Sequence, residues 1–313
     1  MRVSVVIPAY NCEHTIGSTL DSVLRQSRQP DEILVMDDGS SDGTASVVRS
    51  YKHSIVLLQQ TNMGAAEARN QLCNMASGDL IALLDSDDIW HPCYLEVQLS
   101  HFANYPHAAA LCTGHVVFDG FSDYDWDKGR LPTTRGVEIL NPISFLKRYS
   151  ESTGFVGTSF CCIPRRTLSL IGKEPFRIAG AEDSYFFWLA ALVGPIIFVD
   201  QPLVAYRMRA GSLSSNRLRT FRAAVEALEC LEERYMSAPD KALTRVYKLA
   251  LASSRRTYAR YLMGAGDKAK ARRAIQCSFG DSFHPLSVVK SLRLLALTMM
   301  PPALRPTWPR VTR

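Results

Sequence analysis

Leu80-Ile81-Ala82-Leu83-Leu84-Asp85-Ser86-Asp87-Asp88 is an apolar run of strand length that stops in three carboxylates packed into four residues. Carboxylates that close repel by roughly 1–4 kcal/mol per pair at about 4 Å, so they call for a cation. Their hard oxygens suit Mg²⁺ or Mn²⁺ better than a thiolate-seeking metal. Metal-held phosphate is the chemistry they imply. The plainer reading is turn and cap chemistry, with Asp88-Ile89-Trp90-His91-Pro92 capping a helix that opens at Pro92.

Upstream of this run the chain alternates strand and helix signals. Val3-Ser4-Val5-Val6-Ile7 reads as a buried strand, and Ile16, Leu20, Val23 and Leu24 recur at helical spacing, predicting a helix over roughly 13–26. Ile33-Leu34-Val35-Met36 is a second strand, ending in Asp37-Asp38-Gly39-Ser40-Ser41-Asp42-Gly43-Thr44, a loop of turn and cap residues before a helix bearing Val47 and Val48. Ile55-Val56-Leu57-Leu58 predicts a third strand, and Ala68, Leu72, Met75 and Ala76 a helix after Asn62-Met63-Gly64. The run 80–84 is then the fourth strand, followed by a helix with Leu95, Leu99 and Phe102 and a strand near Ala110–Phe118. Repeated βα units imply an α/β fold: a mostly parallel sheet flanked by helices, with ligands beyond the carboxyl ends of the strands. Pro8-Ala9-Tyr10-Asn11, Asp37-Asp38 and Asp85–Asp88 all fall at such ends.

Residues 119–136 are polar and aromatic and read as a loop. Phe160-Cys161-Cys162-Ile163 follows as a strand, then a helix near Thr167–Ile171 and one carrying Tyr185, Phe186, Trp188 and Leu189 after Glu182-Asp183. Beyond residue 216 the pattern is helical, with Gly264 and Gly266 closing one long helix and Asp267 capping the next. The predicted organisation is one domain over 1–215, with a first half over 1–118 and a second over 119–215, and a helical appendage over 216–313.

The 313 residues suffice to bury a core, and 47% hydrophobic with 21% charged residues is a folded composition. The eight cysteines include no CxxC pair, which fits neither a zinc site nor a disulfide framework and favours a reduced, cytoplasmic setting. The chain enters its first strand without a charged-then-apolar leader, and no apolar stretch approaches about 18 residues, so neither signal peptide nor spanning helix is expected. Lys and Arg against Asp and Glu number 17 and 23 in residues 1–215 but 19 and 7 in 216–313, a difference of −6 against +12. Such a basic region draws anionic partners, either nucleic acid or an acidic membrane face, or it is simply a set of solvated helix faces.

Five segments in order now carry a resemblance: Val3 to Asn11, Asp37 to Thr44, Asn62-Met63-Gly64-Ala65-Ala66-Glu67-Ala68-Arg69-Asn70, Asp85-Ser86-Asp87-Asp88 and Glu182-Asp183. Over about residues 3–215 the chain resembles the family 2 glycosyltransferases, which share the GT-A fold. The resemblance implies a nucleotide-sugar donor and an inverting transfer to a hydroxyl of a glycan or lipid-linked acceptor, with 1–118 as the nucleotide-sugar-binding half and 119–215 as the acceptor-side half. It puts Pro8, Ala9, Tyr10 and Asp38 at the nucleotide base, where an aromatic face stacks and a carboxylate accepts a base N–H. It puts Asn62, Gly64, Arg69 and Ser86 along the donor, Arg69 toward the phosphates. Asp85 falls on the ribose hydroxyls, and Asp87 with Asp88 on a divalent metal, Mn²⁺ or Mg²⁺, that bridges the diphosphate and acts as Lewis acid to the leaving group. Asp183 matches the general base, supported by Glu182.

Each assignment has a structural counterpart: Tyr10 as core, Asp38 as a turn residue, Arg69 in an intrahelical pair, Asp183 as an N-cap. The chain also departs from the family. Many relatives carry a histidine where Tyr206-Arg207-Met208-Arg209 places Arg209, which pairs with phosphate but ligates no cation. Near the C-terminus Val289, Leu292, Ala296 and Met299 form a helical stripe flanked by Lys290 and Arg293, the pattern of an interfacial helix on anionic lipid or of a terminal helix docked on its own domain. Peripheral membrane contact through these basic helices is therefore one expectation, and no nucleic-acid partner is expected. The rival reading is a basic nucleic-acid- or scaffold-binding module on an inactive nucleotide-binding fold. A dinucleotide-dependent oxidoreductase is disfavoured because Pro8-Ala9-Tyr10-Asn11 offers no glycine at the first turn.

Overall fold

The computed structural model describes residues 1–51, 54–120, 124–126, 132–151, 155–208, 216–235, 240–282 and 284–299. Every residue of β1 (Val3–Ala9) is buried. A strand so apolar needs cover on both faces, which a parallel βα arrangement supplies. β1 pairs in parallel with β2 (Glu32–Asp37) on one side and β4 (Leu80–Leu83) on the other, and β3 (Val56–Gln59) extends the row beyond β2. On one face Val3, Val5 and Ile7 meet Ile16, Leu20 and Val23 of α1 (Ile16–Leu24). Truncating a core side chain such as Ile7 to Ala costs roughly 2–5 kcal/mol.

α2 (Thr44–Ser50) and α3 (Ala65–Met75) return the chain between these strands, so the expected βα alternation holds through β4. Past that strand the sheet becomes mixed. A two-residue strand, β5 (Ile89–Trp90), precedes α4 (Tyr94–Asn104), which begins at Tyr94 and not at Pro92, so Asp88 does not cap it. β6 (Ala110–Asp119) and β7 (Val137–Leu140) follow, then α5 (Pro142–Glu151), a 3₁₀ turn at Thr158–Phe160, β8 (Cys161–Pro164), α6 (Arg165–Ile171), α7 (Glu182–Val193) and β9 (Ile196–Met208). Among the described residues nine strands form one sheet in the order β3-β2-β1-β4-β8-β6-β9-β5, with β7 also on β9. β8 runs antiparallel between β4 and β6, while β6 and β9 run parallel to each other.

The chain divides into two compact units: Met1–Asn141, Gly154–Ala179 and Leu189–Arg209 make the first, and Pro142–Thr153, Gly180–Trp188 and Ala210–Arg313 the second. The first holds the sheet. In the second, α5 and the start of α7 join α8 (Arg217–Tyr235), α9 (Lys241–Gly264), α10 (Lys268–Asp281) and α11 (Pro285–Met299). Asp240 caps α9 by accepting from Ala242 N, and Asp267 caps α10 by accepting from Lys270 N, as its position after Gly266 predicts. Ala259, Leu262, Met263, Ala271, Ile275 and Leu294 form a core among α9, α10 and α11. Among the described residues no helix is long and apolar enough to cross a membrane.

Candidate functional site

The carboxyl ends of β1 and β2 are tied together by their loops. Asp38 N donates to Ala9 O at 2.8 Å, Asn11 N to Ser40 Oγ at 3.0 Å, and Asn11 Oδ1 accepts from Ser41 N at 2.9 Å. Pro8 and Ala9 end the strand and are buried, whereas Tyr10 is 49% exposed and is not core. Asp38 is only 2% exposed and is fully engaged in shaping the next loop. Its Oδ1 accepts from Gln60 Nε2 at 2.7 Å and Met63 N at 2.8 Å, and its Oδ2 from Gly64 N at 2.8 Å. It is thus a turn residue of a particular kind, one that pins the stretch 60–64 beside Tyr10's strand end. Two glycines make this possible. Gly39 has φ +75° and lies so close to Asn62 that a Cβ would stand 2.8 Å from its backbone nitrogen, and Gly64 enters α3 at φ +92°. Asn62 itself is exposed.

Arg69, in the second turn of α3, reaches out of its own helix. Its Nη2 donates to Asp85 Oδ1 at 2.7 Å, its side chain 7% exposed against 30% for Asp85, and its guanidinium lies 5.9 Å from the centre of the Phe176 ring. Asn70 secures that ring's backbone from both sides, donating to Phe176 O and accepting from Phe176 N. Asp85 is braced further by Thr158 Oγ1, which donates to Oδ2 at 2.8 Å, and by its own N–H donating to Ser159 Oγ at 3.0 Å. Neither Thr158 nor Ser159 has a signal in a single sequence, because their role comes from the β4–β8 pairing.

The acidic run after Asp85 is not uniform. Ser86 is nearly buried and its carbonyl accepts from Thr15 Oγ1 at 3.0 Å, as Asp88 O accepts from Thr19 Oγ1 at 2.9 Å. Asp87 is half-buried, and its carbonyl accepts from Arg207 Nε at 2.7 Å. Asp88 is 0% exposed, with Oδ1 accepting from Arg207 N at 2.9 Å. Burial first, then the charges of Asp87 and Asp85, push the Asp88 carboxyl well above the usual carboxylate range. Asp88 as it stands is therefore a sealed brace that holds a proton more tightly than an ordinary carboxyl, and of the two residues expected on a metal only Asp87 is accessible. Arg207 is 2% exposed, lies 4.5 Å over the Phe118 ring and donates from Nη1 to Gly120 O, so it holds the acidic loop in place. Its only signal in the sequence is the Tyr206-Arg207 pair of the segment that leads to Arg209. Arg209 lies outside the described residues.

In the second unit, Glu182 and Asp183 occupy the first turn of α7, where the helix's unpaired N–H groups favour negative charge. Glu182 Oε2 accepts from Gly180 N at 2.6 Å. Asp183 lies inside the helix rather than at the N-cap, and its Oδ1 accepts from Ser184 N at 2.6 Å and from Ser184 Oγ at 3.2 Å. Ser184 Oγ in turn meets the Tyr149 hydroxyl of α5, whose ring packs edge-on to Trp188 at 5.3 Å. Burial, then the Asp183 charge, pushes the Tyr149 hydroxyl up, so it stays protonated and available as a donor.

A divalent cation would be held here in a mode shared with the substrate. Among the described residues no three His, Cys, Asp or Glu side chains converge as a closed cage. Asp87, half-buried and two positions from Asp85, offers hard oxygens of the kind that hold Mg²⁺ or Mn²⁺ through one or two carboxylates plus substrate phosphates, and the residues fit that mode.

Residues 4–170 match the family described as Glycosyl transferase family 2. The chain is 47% identical over 100 residues to the Escherichia coli UDP-Glc:alpha-D-GlcNAc-diphosphoundecaprenol beta-1,3-glucosyltransferase WfgD, covering 31% of this chain and 40% of that one. It is 37% identical over 193 residues to the putative glycosyltransferase EpsE of Bacillus subtilis, covering 60% and 66%. With E. coli WfaP, named for the same reaction as WfgD, identity is 32% over 225 residues, covering 69% and 81%. Among solved structures, S. aureus TarS 1-349 in complex with UDP-GlcNAc aligns with a TM-score of 0.68 at 18% identity, over 95% of this chain and 90% of that one. The mannosyltransferase PcManGT of Pyrobaculum calidifontis, in complex with GDP-Man and Mn²⁺, aligns at 0.57 and 19% identity, over 94% and 85%. These structural likenesses show the GT-A fold.

Proposed function

Because this chain belongs to glycosyl transferase family 2, we propose that it moves a sugar, with inversion, from a nucleoside diphosphate donor to a hydroxyl of a glycan or lipid-linked glycan at the cytoplasmic side of a membrane. One observation supports the donor reading above the rest: the carboxyl ends of the neighbouring strands β1, β2 and β4 carry an exposed Tyr10, the Asp38-pinned loop and the Arg69–Asp85 pair. Tyr10 stacks on the base, and Pro8, Ala9 and Asp38 frame it. Asn62, Gly64, Ser86 and Arg69 line the donor, with Asp85 toward the ribose. Relatives named for UDP-glucose, and a fold neighbour solved with UDP-GlcNAc, make UDP-sugars the donors to try first.

Asp87, with Asp85 beside it, would hold the divalent cation, which when bound supplies Lewis acidity to the departing diphosphate. Arg69 and, in the segment after β9, Arg209 pair with phosphate oxygens. Asp183 takes the proton of the acceptor hydroxyl as it attacks the anomeric carbon, and Glu182 and Ser184 hold the turn that presents it. The division into a catalytic part over 1–215 and a helical appendage from 216 belongs to the same proposal. The rival reading, a nucleic-acid or scaffold module on an inactive fold, has nothing in its favour beyond the charge of the appendage.

Two measurements test this. In a panel of UDP-, GDP- and TDP-sugars with and without Mn²⁺, at least one donor is expected to raise the melting temperature, since selective binding stabilises the folded state. Asp183→Asn is expected to abolish transfer while keeping that donor shift. A panel without any shift removes the donor site, and a fully active Asp183→Asn removes the base.

A further inference from the structure

α11 buries hydroxyls and leaves apolar side chains outside. Its inner face is mixed: Ser287, Ser291 and Thr298 are 4%, 0% and 1% exposed, alongside Leu294 at 4%, and Leu295 and Leu297 pack part-buried against the same core. That polarity is satisfied within the second unit. Arg256, itself 7% exposed, donates to Ser287 Oγ at 2.8 Å, Ser278 and Ser291 share a hydrogen bond at 2.9 Å, and Arg272 Nε donates to Thr298 Oγ1 at 3.3 Å. A second apolar stripe faces outward. Leu286 is 66% exposed, Val289 59%, Leu292 53% and Met299 73%, with Ala296 between the last two also exposed. At 100° per residue Val289, Leu292, Ala296 and Met299 share an arc of about 80°, and Arg293 and Lys290 follow on one edge of it.

A helix that is merely docked on its domain puts its apolar side inward. Here the buried hydrogen bond from Arg256 to Ser287, the part-buried one from Arg272 to Thr298 and the packing of Leu294, Leu295 and Leu297 set the orientation, and the second apolar stripe is left facing outward with another use. Charge identifies the occupant. α11 has no acidic residue, and over residues 271–299 Arg272, Arg273, Lys290 and Arg293 stand against Asp281 alone, which Arg255 already holds. An apolar stripe edged by unopposed cations suits the headgroup region of an anionic bilayer, where the stripe enters the acyl boundary and the cations meet lipid phosphates. A second copy of the chain would set these cations against one another.

We propose that α11 is a peripheral membrane anchor, lying in the surface of an anionic bilayer through Leu286, Val289, Leu292, Ala296 and Met299, with Lys290 and Arg293 on the phosphates. Vesicle flotation of the full chain tests it, and the test is independent of any donor or transfer reaction. Vesicles of equal parts phosphatidylglycerol and phosphatidylcholine are expected to carry the protein, and pure phosphatidylcholine vesicles are not. Val289→Asp with Leu292→Asp on the outer face is expected to weaken binding by about tenfold or more. Binding to the anionic vesicles is expected to weaken with added salt, and Lys290→Glu with Arg293→Glu is expected to weaken it as the aspartates do and to remove that salt dependence. Leu292→Trp, a substitution at an exposed site, is expected to show an emission shift to shorter wavelengths on the anionic vesicles only. The proposal is overturned if the chain floats with neither vesicle, if the two aspartates leave flotation unchanged, if Leu292→Trp shows no emission shift, or if light scattering shows a dimer that the aspartates dissolve.

Discussion

Asp88 shows how much a single residue can change its meaning between sequence and fold. It stands one position from Asp87 and has the same chemistry, yet it is sealed from solvent and bonded to Arg207 N. Because its carboxyl is raised by burial and by its acidic neighbours, the folded chain keeps a proton that the unfolded chain releases just above the ordinary carboxylate value. The native state then binds more protons than the unfolded one, so this group's contribution to stability falls as pH rises, by up to about 1.4 kcal/mol per pH unit. Asp88→Asn keeps the acceptor for Arg207 N without the proton. Its stability relative to the parent is expected to improve as pH rises above about 4, as read from urea midpoints between acid and neutral pH. A constant difference between the two proteins over the range would mean that Asp88 is ionised in the folded state.

At the scale of elements, the loop after β2 matters most. Gly39 adopts a left-handed conformation and abuts Asn62, while Asp38 beside it accepts three hydrogen bonds from the stretch 60–64. The turn and the start of α3 are thus one construction. Gly39→Ala adds both a left-handed penalty and a clash with backbone, and the expected loss is about 2 kcal/mol or more, with weaker donor binding. Guanidinium midpoints and donor titration together check this, and an unchanged midpoint would mean that the two loops move independently. The sequence showed the turn from its Gly, Ser and Asp residues, but not its partner, because the contact joins positions more than twenty residues apart. The same holds for Thr158, Ser159 and Arg207 around the acidic run: each is brought there by strand pairing, through β8 for the first two and β9 for the third. β7 and α5 were likewise not predicted, since the four residues of β7 alternate around Glu138 and give too short a pattern to read.

At the scale of the whole molecule, ligand-linked stability should be uneven. A nucleotide held at the ends of β1, β2 and β4 stabilises the segments it touches and raises the free energy of their local opening. Hydrogen exchange with UDP and Mn²⁺ is expected to slow amides in 8–12, 38–40 and 62–70, with residues 241–282 exchanging as before. Uniform protection over both units, or none at 62–64, would count against the donor site. The charge asymmetry between residues 1–215 and 216–313 is visible in composition, but its use depends on which way α11 turns.

The sequence by itself determined the order of strands and helices through the fourth strand, the placing of acidic and glycine-rich loops at strand ends, the cap at Asp267, and the family. These are local properties: apolar period, turn residues and cap residues act within a few positions of one another. Only the tertiary structure decided that Asp88 is sealed while Asp87 is open, that Arg69 reaches Asp85 rather than a neighbour on its own helix, and that α11 turns its serines inward. Those outcomes depend on what packs against each side chain, and burial with its electrostatic consequences is set by partners distant along the chain.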